Sequence, residues 1–202
     1  MRIGIYGGTF SPPHAGHIRA AVQFLSVCDL DRLYILPTAT PPHKEISPND
    51  DPARRLAMCH LAFNGIDDRI VVSDYEQKRG GKSYTILTLE HFRLMSPDLV
   101  LLCGTDMFLT LDTWFRGEDI LRTTAVCCLL RTNDTGDAEA VRRRAAYYRE
   151  TFGTECYLPA FSPIDISSTA LREMIARGLP TDGLLTPAVR DYIDEHGLYK
   201  NQ

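Results

Sequence analysis

Short apolar runs alternate with helix-length amphipathic stretches along most of this chain, and that alternation constrains the fold more than any other feature. Runs such as Leu99 to Cys103 and Ala125 to Leu130 are apolar throughout, which is typical of strands that are buried on both faces. Strands that alternate with helices pair in parallel, because each helix carries the chain back across a face of the sheet. The sequence therefore predicts an α/β fold with a doubly wound, Rossmann-like parallel sheet.

The element boundaries follow from the same pattern. We predict strands at 3–6, 33–36, 70–72, 99–103, 125–130 and 155–158, and helices at 16–27, 52–63, 84–94 and 137–150. Asp50 or Asp51 can cap the helix at 52–63, and the helix at 84–94 is predicted to begin from Ser83. Two terminal helices, at 168–177 and 187–196, would form a small cap. We predict one domain over 1–202, with 166–202 as its C-terminal helical appendage.

Composition narrows the class of protein. The formal net charge is −4, which argues against a general nucleic-acid binder but allows a local pocket for anions. The six cysteines contain no C-x-x-C pair, so we interpret them as reduced thiols of a cytoplasmic protein. No signal peptide opens the chain, and no apolar run reaches the ~20 residues that a membrane helix needs. We expect neither nucleic acid nor membrane as a partner.

A glycine-rich loop with two histidines follows the first predicted strand. In a doubly wound sheet, ligands bind at such strand ends. Glycines let the backbone approach a phosphate, and the start of the next helix offers unpaired N–H groups. His14 and His17 are three residues apart across that helix start, so both imidazoles can face one spot, as cations or as neutral donors. The loop residues that we assign to ATP binding are Gly7, Gly8, Thr9, Phe10 and Gly16.

Two other interpretations of this loop remain at this point. The first is a glycine turn with two incidental histidines. The second is an H-x-x-H metal pair, although no acidic or cysteine ligand lies at a suitable spacing nearby. A dinucleotide-binding fingerprint is excluded because G-x-G-x-x-G is absent. We therefore predict no protein-held metal site.

A second candidate anion site lies late in the chain. Ser167, Ser168 and Thr169 are typical N-cap residues, and Arg172 follows one turn later. Hydroxyls, free N–H groups and a guanidinium at one helix start can bind phosphate. Taken alone, the same pattern is also that of an ordinary helix cap.

The two loops together carry a family resemblance. The first resembles the G-x-F-x-P-x-H-x-G-H signature of nucleotidyltransferases, and Ile166 to Arg172 resembles the I-S-S-T-x-x-R signature of the same superfamily. The resemblance implies a Rossmann-like nucleotidyltransferase fold, ATP as a substrate and His14, His17 and Arg172 as catalytic residues. Members often carry Asp where this chain has Ser11, so no carboxylate role is assigned there.

Four further segments resemble one branch, the bacterial nicotinate-nucleotide adenylyltransferases. They are the P-P-H-K loop ending at Lys44, the S-Y-T segment, the G-T-D…T-W string and the G-L-Y ending. The resemblance implies nicotinate mononucleotide as acceptor, with Gly104 and Asp106 on the nucleotide. The residues that it assigns to the acceptor are Ser11, Lys44, Ser83, Tyr84, Thr85 and Trp114.

The implied reaction is an in-line attack of the acceptor phosphate on the α-phosphorus of ATP, with Mg²⁺ carried by ATP. Alternatives are an adenylyltransferase for nicotinamide mononucleotide or phosphopantetheine, a catalytically silent nucleotide-binding protein, and a hydrolase that holds a metal on the two histidines. The sequence leaves self-association open.

Overall fold

A computed structural model of the protein describes residues 1–40, 51–131, 135–162, 164 and 166–200. The strands are β1 (Ile3–Gly8), β2 (Arg32–Pro37), β3 (Ile70–Val72), β4 (Leu99–Cys103), β5 (Ala125–Cys128), β6 (Leu130–Arg131), β7 (Cys156–Tyr157) and β8 (Ala160–Phe161). Six of them form a parallel sheet in the order β3-β2-β1-β4-β5-β7. The predicted α/β fold is confirmed.

The helices are α1 (Ala15–Val27), α2 (Pro52–Phe63), α3 (Tyr75–Arg79), α4 (Thr85–Arg93), α5 (Thr105–Leu109), α6 (Gly117–Thr123), α7 (Thr135–Phe152), α8 (Ser168–Ala176) and α9 (Pro187–Glu195). A 3₁₀ turn covers Leu111–Thr113. The predicted elements at 52–63, 70–72 and 99–103 have the observed bounds. The short helices α3, α5 and α6 were not predicted, because helical periodicity is hard to recognise over one or two turns.

The strand order places the topological switch between β1 and β4. Chain order runs away from that point in both directions, and ligands of such sheets bind at the carboxyl ends of the strands there. Gly7 lies at the end of β1, and Gly104 directly follows β4. All five residues of β4 are buried, as its continuously apolar sequence predicts. The two predicted nucleotide-binding glycines thus lie at the ends of neighbouring strands.

Two local predictions were wrong. The apolar run 125–130 is not one strand: β5 ends at Cys128, and Leu130 pairs with Ala160 in a separate two-stranded sheet. An apolar run does not reveal where a strand changes partner. Helix α4 begins at Thr85 with Tyr84 as its N-cap residue, not from Ser83. The Ser83 side chain instead accepts hydrogen bonds from the N–H groups of Ala39 and Thr40.

The chain divides into two compact units. The first comprises Met1–Gly7, Ala20–Tyr34 and Tyr84–Pro163, and the second comprises Gly8–Arg19, Ile35–Ser83 and Ile164–Gln202. The predicted terminal helices α8 and α9 are present in the second unit. All six cysteines are free and buried. None of the helices in the described part of the chain is long and apolar enough to cross a membrane.

Candidate active site

The two histidines of the first loop lie against each other in the second unit. Their ring centroids are 3.8 Å apart with a 35° angle between the planes. The backbone N–H of His14 donates to Nδ1 of His17 at 3.2 Å. Because Nδ1 of His17 accepts this bond, the proton of a neutral His17 ring is on Nε2. His17 therefore carries its side-chain donor on Nε2.

Both imidazoles are neutral at pH 7. Burial lowers the pKa of His14 from 6.5 to about 4. Burial and the neighbouring His14 lower the pKa of His17 from 6.5 to about 3. Desolvation disfavours the charged form of a histidine, so these shifts have the expected sign. The sequence left cationic and neutral histidines as alternatives, and the environment of the free protein favours neutral donors.

The glycine between the histidines leaves room for the His14 ring. A Cβ atom at Gly16 would lie 3.0 Å from both Cε1 and Nδ1 of His14, which is tighter than ordinary van der Waals contact. The same Nδ1 is buried and has no hydrogen-bond partner among the described residues. An unsatisfied buried nitrogen is costly, and one at the predicted phosphate site is a candidate ligand contact.

Phe10 anchors the first loop in the core through its buried side chain. It has a positive φ of 50°, which costs energy for a residue with a Cβ atom, and only 1% of its surface is exposed. Its ring makes edge contacts with His17 at 4.9 Å and with Phe63 of α2 at 6.2 Å between centroids. The Phe10 side chain lies in the core, so only the Phe10 backbone is available for the predicted contact with ATP.

The second loop meets the first within the same unit. Ser167 caps α8, and its side chain accepts a hydrogen bond from the N–H of Ala170, as the cap prediction requires. The Ser168 hydroxyl donates to the carbonyl of Pro12 at 3.0 Å. The Arg172 guanidinium donates to the carbonyl of Ser11 at 2.8 Å and contacts the Thr169 hydroxyl. The two sequence signatures are thus joined by side chains of α8.

Ser11 does not present a free hydroxyl. Its Oγ lies 3.2 Å from the hydroxyl of Tyr199, and the residue is only 4% exposed. Tyr199 belongs to the G-L-Y ending, so the last described residues of the chain contact the first loop. At this position the chain therefore has an internal hydrogen bond between two hydroxyl groups.

Five further predicted site residues lie in the first unit, namely Tyr84, Thr85, Gly104, Asp106 and Trp114. Ser83 lies in the second unit, and Lys44 falls outside the described residues. Gly104 is the N-cap residue of α5, and Asp106 is exposed in its first turn. Trp114 ends the 3₁₀ turn and is half-buried. The Tyr84 ring lies 4.5 Å from that of Phe115, next to Trp114. This contact links the predicted S-Y-T and T-W segments.

A buried network that the sequence did not predict holds the turn before Trp114. The Tyr148 hydroxyl of α7 donates to the carbonyl of Phe108 at 2.7 Å. Arg144 of the same helix forms an ion pair with Asp112 in the 3₁₀ turn. At Gly117, an added Cβ would lie 2.2 Å from the carbonyl oxygen of Leu111, so only glycine fits there. The turn that precedes Trp114 is therefore held by α7 on one side and by the close approach of Gly117 on the other.

A second unpredicted residue is Arg55 of α2, which is fully buried. It donates to the carbonyls of Thr9, Thr38 and Ala39. One signal was available in the sequence. Arg55 shares the helical spacing of its apolar neighbours on the buried face, which are Met58, Cys59, Ala62 and Phe63. An arginine in such a row has to find acceptors inside the protein.

The described residues contain no group of three or more His, Cys, Asp or Glu side chains that could hold a metal ion.

A model of the cytidylyltransferase-like family matches residues 5–174. A probable nicotinate-nucleotide adenylyltransferase of Pseudomonas fluorescens is 39% identical over 210 residues, covering 98% of this chain and 97% of that protein. One from Shewanella baltica is 34% identical and covers 98% of this chain and 99% of that protein.

Solved structures agree on the fold. Plasmodium falciparum nicotinic acid mononucleotide adenylyltransferase complexed with NaAD has a TM-score of 0.80 at 20% identity, covering 100% of this chain and 98% of that chain. The same enzyme complexed with APC has a TM-score of 0.77 at 19% identity, with the same coverage.

Proposed function

The chain belongs to the cytidylyltransferase-like family and, within it, to the nicotinate-nucleotide adenylyltransferases, and on that premise we propose a role for each part of the site. The enzyme transfers the adenylyl group of ATP to nicotinate mononucleotide, which gives nicotinate adenine dinucleotide and pyrophosphate in NAD biosynthesis. The observation that carries the residue assignments is the junction of the two signature loops through Arg172 and Ser168.

The triphosphate of ATP binds at this junction. The N–H of Ala170 is taken by Ser167, so the N–H groups of Ser168 and Thr169 are the ones that a phosphate would meet at the start of α8. The positive end of that helix favours an anion. Arg172 contributes its charge beside the same turn. Gly7 and Gly8 let the backbone approach the nucleotide, and Thr9 and Gly16 belong to the same loop.

The histidines act as neutral hydrogen-bond donors. His17 donates from Nε2, since its Nδ1 is held by the His14 N–H. His14 can turn its unsatisfied Nδ1 into a donor through its other tautomer. Donors that are fixed before the reaction stabilise negative charge as it develops, without the cost of reorienting solvent.

The chemistry is a single displacement. An oxygen of the acceptor phosphate forms a bond to the α-phosphorus of ATP, and the bond from that phosphorus to the β-bridging oxygen breaks. Pyrophosphate leaves with the electron pair. No general base is required, because the attacking phosphate is already ionised. Catalysis is then positioning plus stabilisation of charge on the departing pyrophosphate.

The acceptor is held by residues of the S-Y-T and T-W segments and by Lys44. Thr85 opens α4, whose nine residues end at Arg93, so the N–H groups of this helix start suit a carboxylate. Trp114 stacks on the pyridine ring, and the next residue, Phe115, packs against the Tyr84 ring. Asp106, next to Gly104, accepts hydrogen bonds from ribose hydroxyls. Ser11 and Ser83 act through the loops that they hold, since both hydroxyls make internal hydrogen bonds.

A divalent metal, which we propose to be Mg²⁺, enters as part of the ATP substrate. Mg²⁺ prefers oxygen ligands and keeps several waters, so phosphate oxygens are its natural partners. We also propose the cytoplasm as the compartment, because buried free thiols persist where the environment is reducing.

The assignment is tested by pyrophosphate release with ATP against three acceptors: nicotinate mononucleotide, nicotinamide mononucleotide and phosphopantetheine. We expect release with nicotinate mononucleotide and formation of the dinucleotide in equal amount. Release with phosphopantetheine alone would overturn the acceptor assignment. Release without any acceptor would indicate hydrolysis of ATP instead.

A further inference from the structure

Arg55 joins two segments of the chain beside the two histidines: the loop after β1, at Thr9, and the segment after β2, at Thr38 and Ala39. Its guanidinium is fully buried. Nη1 donates to the carbonyl of Thr9 at 2.9 Å and to that of Thr38 at 2.6 Å. Nη2 donates to the carbonyl of Ala39 at 3.3 Å. One cation thus bridges the loop after β1 and the segment after β2.

The segment Thr38–Thr40 is completely hydrogen-bonded on its backbone. The Thr38 N–H and hydroxyl donate to the carbonyl of Gly8 at 2.9 and 3.1 Å. The N–H groups of Ala39 and Thr40 donate to the Ser83 hydroxyl at 3.1 and 3.3 Å. The Ser83 N–H donates to the carbonyl of Thr40 at 2.9 Å. With the two carbonyls that Arg55 holds, all six backbone groups of the segment have partners.

This segment gives Arg55 a rigid support against which to hold Thr9. The carbonyl of Thr9 precedes Phe10, whose positive φ turns its ring under His17. Phe63 lies two turns after Arg55 on α2 and packs against the same ring. Helix α2 therefore holds the loop twice, once by the guanidinium and once by the aromatic contact. The chain of contacts runs from Arg55 through Thr9 and Phe10 to the His17 imidazole.

An arginine is required by the geometry. Its planar fork reaches carbonyls from three residues at once, whereas an ammonium group is a single point with three rotatable donors. A buried guanidinium is also costly to leave without acceptors. If Thr9 moved away, the buried guanidinium would lose one of its carbonyl acceptors, and that cost opposes the movement.

We propose that Arg55 is a positioning residue for adenylyl transfer, which fixes the orientation of the His17 ring through the Thr9–Phe10 segment. That orientation keeps Nδ1 of His17 on the His14 N–H, the bond that sets the His17 tautomer. The inference rests on the proposed role of His17 as a donor to the triphosphate. Arg55 lies under the loop and, being fully buried, does not touch substrate. Its loss should therefore lower kcat more than it changes KM for ATP.

The first measurement is kinetic, on Arg55→Lys, with Met58→Ala as the matched control. Met58 is equally buried on the same helix and loses packing without losing a loop hydrogen bond. Rates are compared well below the lower Tm. A misplaced catalytic group can cost about 10²-fold, so we expect kcat of Arg55→Lys to fall by roughly that factor, with KM for ATP changed about threefold at most. A Met58→Ala variant with an equal Tm loss should keep kcat.

The second measurement does not depend on activity. The ¹⁵N shifts of the His17 imidazole distinguish the Nε2–H tautomer from its alternative, and His17→Gln assigns the signals. We expect the wild-type protein to show the Nε2–H form and Arg55→Lys to show a mixture. If Arg55→Lys does not fold, Thr38→Val removes only the hydroxyl bond to Gly8 and should change kcat and the spectrum in the same direction, less strongly.

Two results would overturn the proposal. One is an Arg55→Lys enzyme with wild-type kcat and an unchanged imidazole spectrum. The other is an equal fall in kcat for Met58→Ala at the same loss of Tm, which would reduce Arg55 to a stability residue. Absence of turnover with nicotinate mononucleotide in the wild-type protein would instead contradict the proposed function, and the tautomer measurement would still test Arg55.

Discussion

The guanidinium of Arg172 donates to the carbonyl of Ser11 at 2.8 Å, across 161 residues of sequence. Arg172, which the second signature assigns to phosphate, therefore also holds the loop of the first signature in place. We therefore expect Arg172 to influence ATP binding in two ways, by its own charge and by the position of the loop that carries His14 and His17.

Arg172→Ala should therefore lower kcat/KM for ATP by about 10²-fold or more, because it removes a charge-assisted donor as well as the hydrogen bond that holds the loop. Arg142→Ala is the matched control, since Arg142 is an exposed arginine on the polar helix α7. Steady-state kinetics on both variants check the prediction. Equal losses would contradict a phosphate site at the start of α8.

His17→Ala should nearly abolish turnover and leave the fold intact. Loss of one donor that stabilises developing charge typically costs about 10²–10³ in rate. His60→Ala, which removes an exposed imidazole at the end of α2, should keep the wild-type rate. The measurement is kcat with saturating substrates, beside the circular dichroism spectrum. A His17→Ala enzyme with wild-type kcat would refute the donor role.

The histidine pair should make the protein less stable in acid. The pKa of His14 is about 4 in the folded protein, compared with the ordinary value of 6.5. Between these two values the imidazole is protonated in the unfolded chain but neutral in the native protein, so protonation favours unfolding. Stability is lost as pH falls from about 6.5 towards 4, and above that window His14 contributes no slope. With about 1.4 kcal/mol per pKa unit, His14 alone lowers the free energy of unfolding by roughly 3 kcal/mol at pH 4.

The check for this prediction is urea unfolding of wild-type protein and His14→Gln between pH 7 and pH 4. Carboxylates titrate in both proteins, so the difference between the two slopes isolates the imidazole. We expect the variant to lose less stability than the wild type over this range. Parallel curves would show that His14 is not buried as a neutral ring.

A side chain at Gly7 would test whether a ligand approaches the backbone there, because it would not clash with other described protein atoms. A Cβ atom at Gly7 would have no described protein atom within 4 Å, whereas one at Gly8 would lie 3.0 Å from the Phe10 ring. Gly7→Ala should therefore keep the wild-type Tm but raise KM for ATP about tenfold, because the methyl group occupies space that a phosphate needs. Gly8→Ala should lower Tm. An unchanged KM in Gly7→Ala would separate this glycine from the ATP site.

The parts of the site that the sequence predicted are those encoded within a few residues. The Ser167 cap and the spacing of His14 and His17 are local patterns, and each appears in the structure where it was expected. The polar partners of these residues are not local. Ser11 and Tyr199 are 188 residues apart in sequence and form a hydrogen bond, and no pattern within either segment predicts that contact.

Buried polar residues account for most of what sequence reasoning missed. Arg55 lies in the row of apolar residues on the buried face of α2, and Tyr148 looks like an ordinary core aromatic of α7. Their function lies in the carbonyls that they reach, of Thr9 and Phe108, and those distances of 46 and 40 residues depend on the completed sheet. Ser83 shows the opposite error. It resembles a helix cap locally, but its hydroxyl accepts hydrogen bonds from the N–H groups of Ala39 and Thr40 instead.

Acceptor choice should follow from the start of α4. Nicotinate and nicotinamide mononucleotide differ in a carboxylate against a neutral amide. Because Ser83 is engaged elsewhere, the donors left to meet the pyridine substituent are the N–H groups of the helix start and the Thr85 hydroxyl. A carboxylate only accepts hydrogen bonds, whereas the amide would turn its own NH₂ towards those donors and leave groups unpaired. Such a mismatch costs several kcal/mol in a dry site, hence about 10²-fold in kcat/KM.

We therefore expect the wild-type enzyme to prefer nicotinate mononucleotide by about that factor, measured as the ratio of kcat/KM for the two acceptors. Thr85→Val, which keeps the side-chain shape and loses the hydroxyl, should erode the ratio. Trp114→Ala should raise KM for both acceptors and leave the ratio unchanged, because stacking on the ring does not depend on its substituent. Equal kcat/KM values in the wild-type enzyme would refute acid selectivity at this helix start. A ratio that falls with Trp114→Ala but not with Thr85→Val would move the selectivity from the helix to the stacking face.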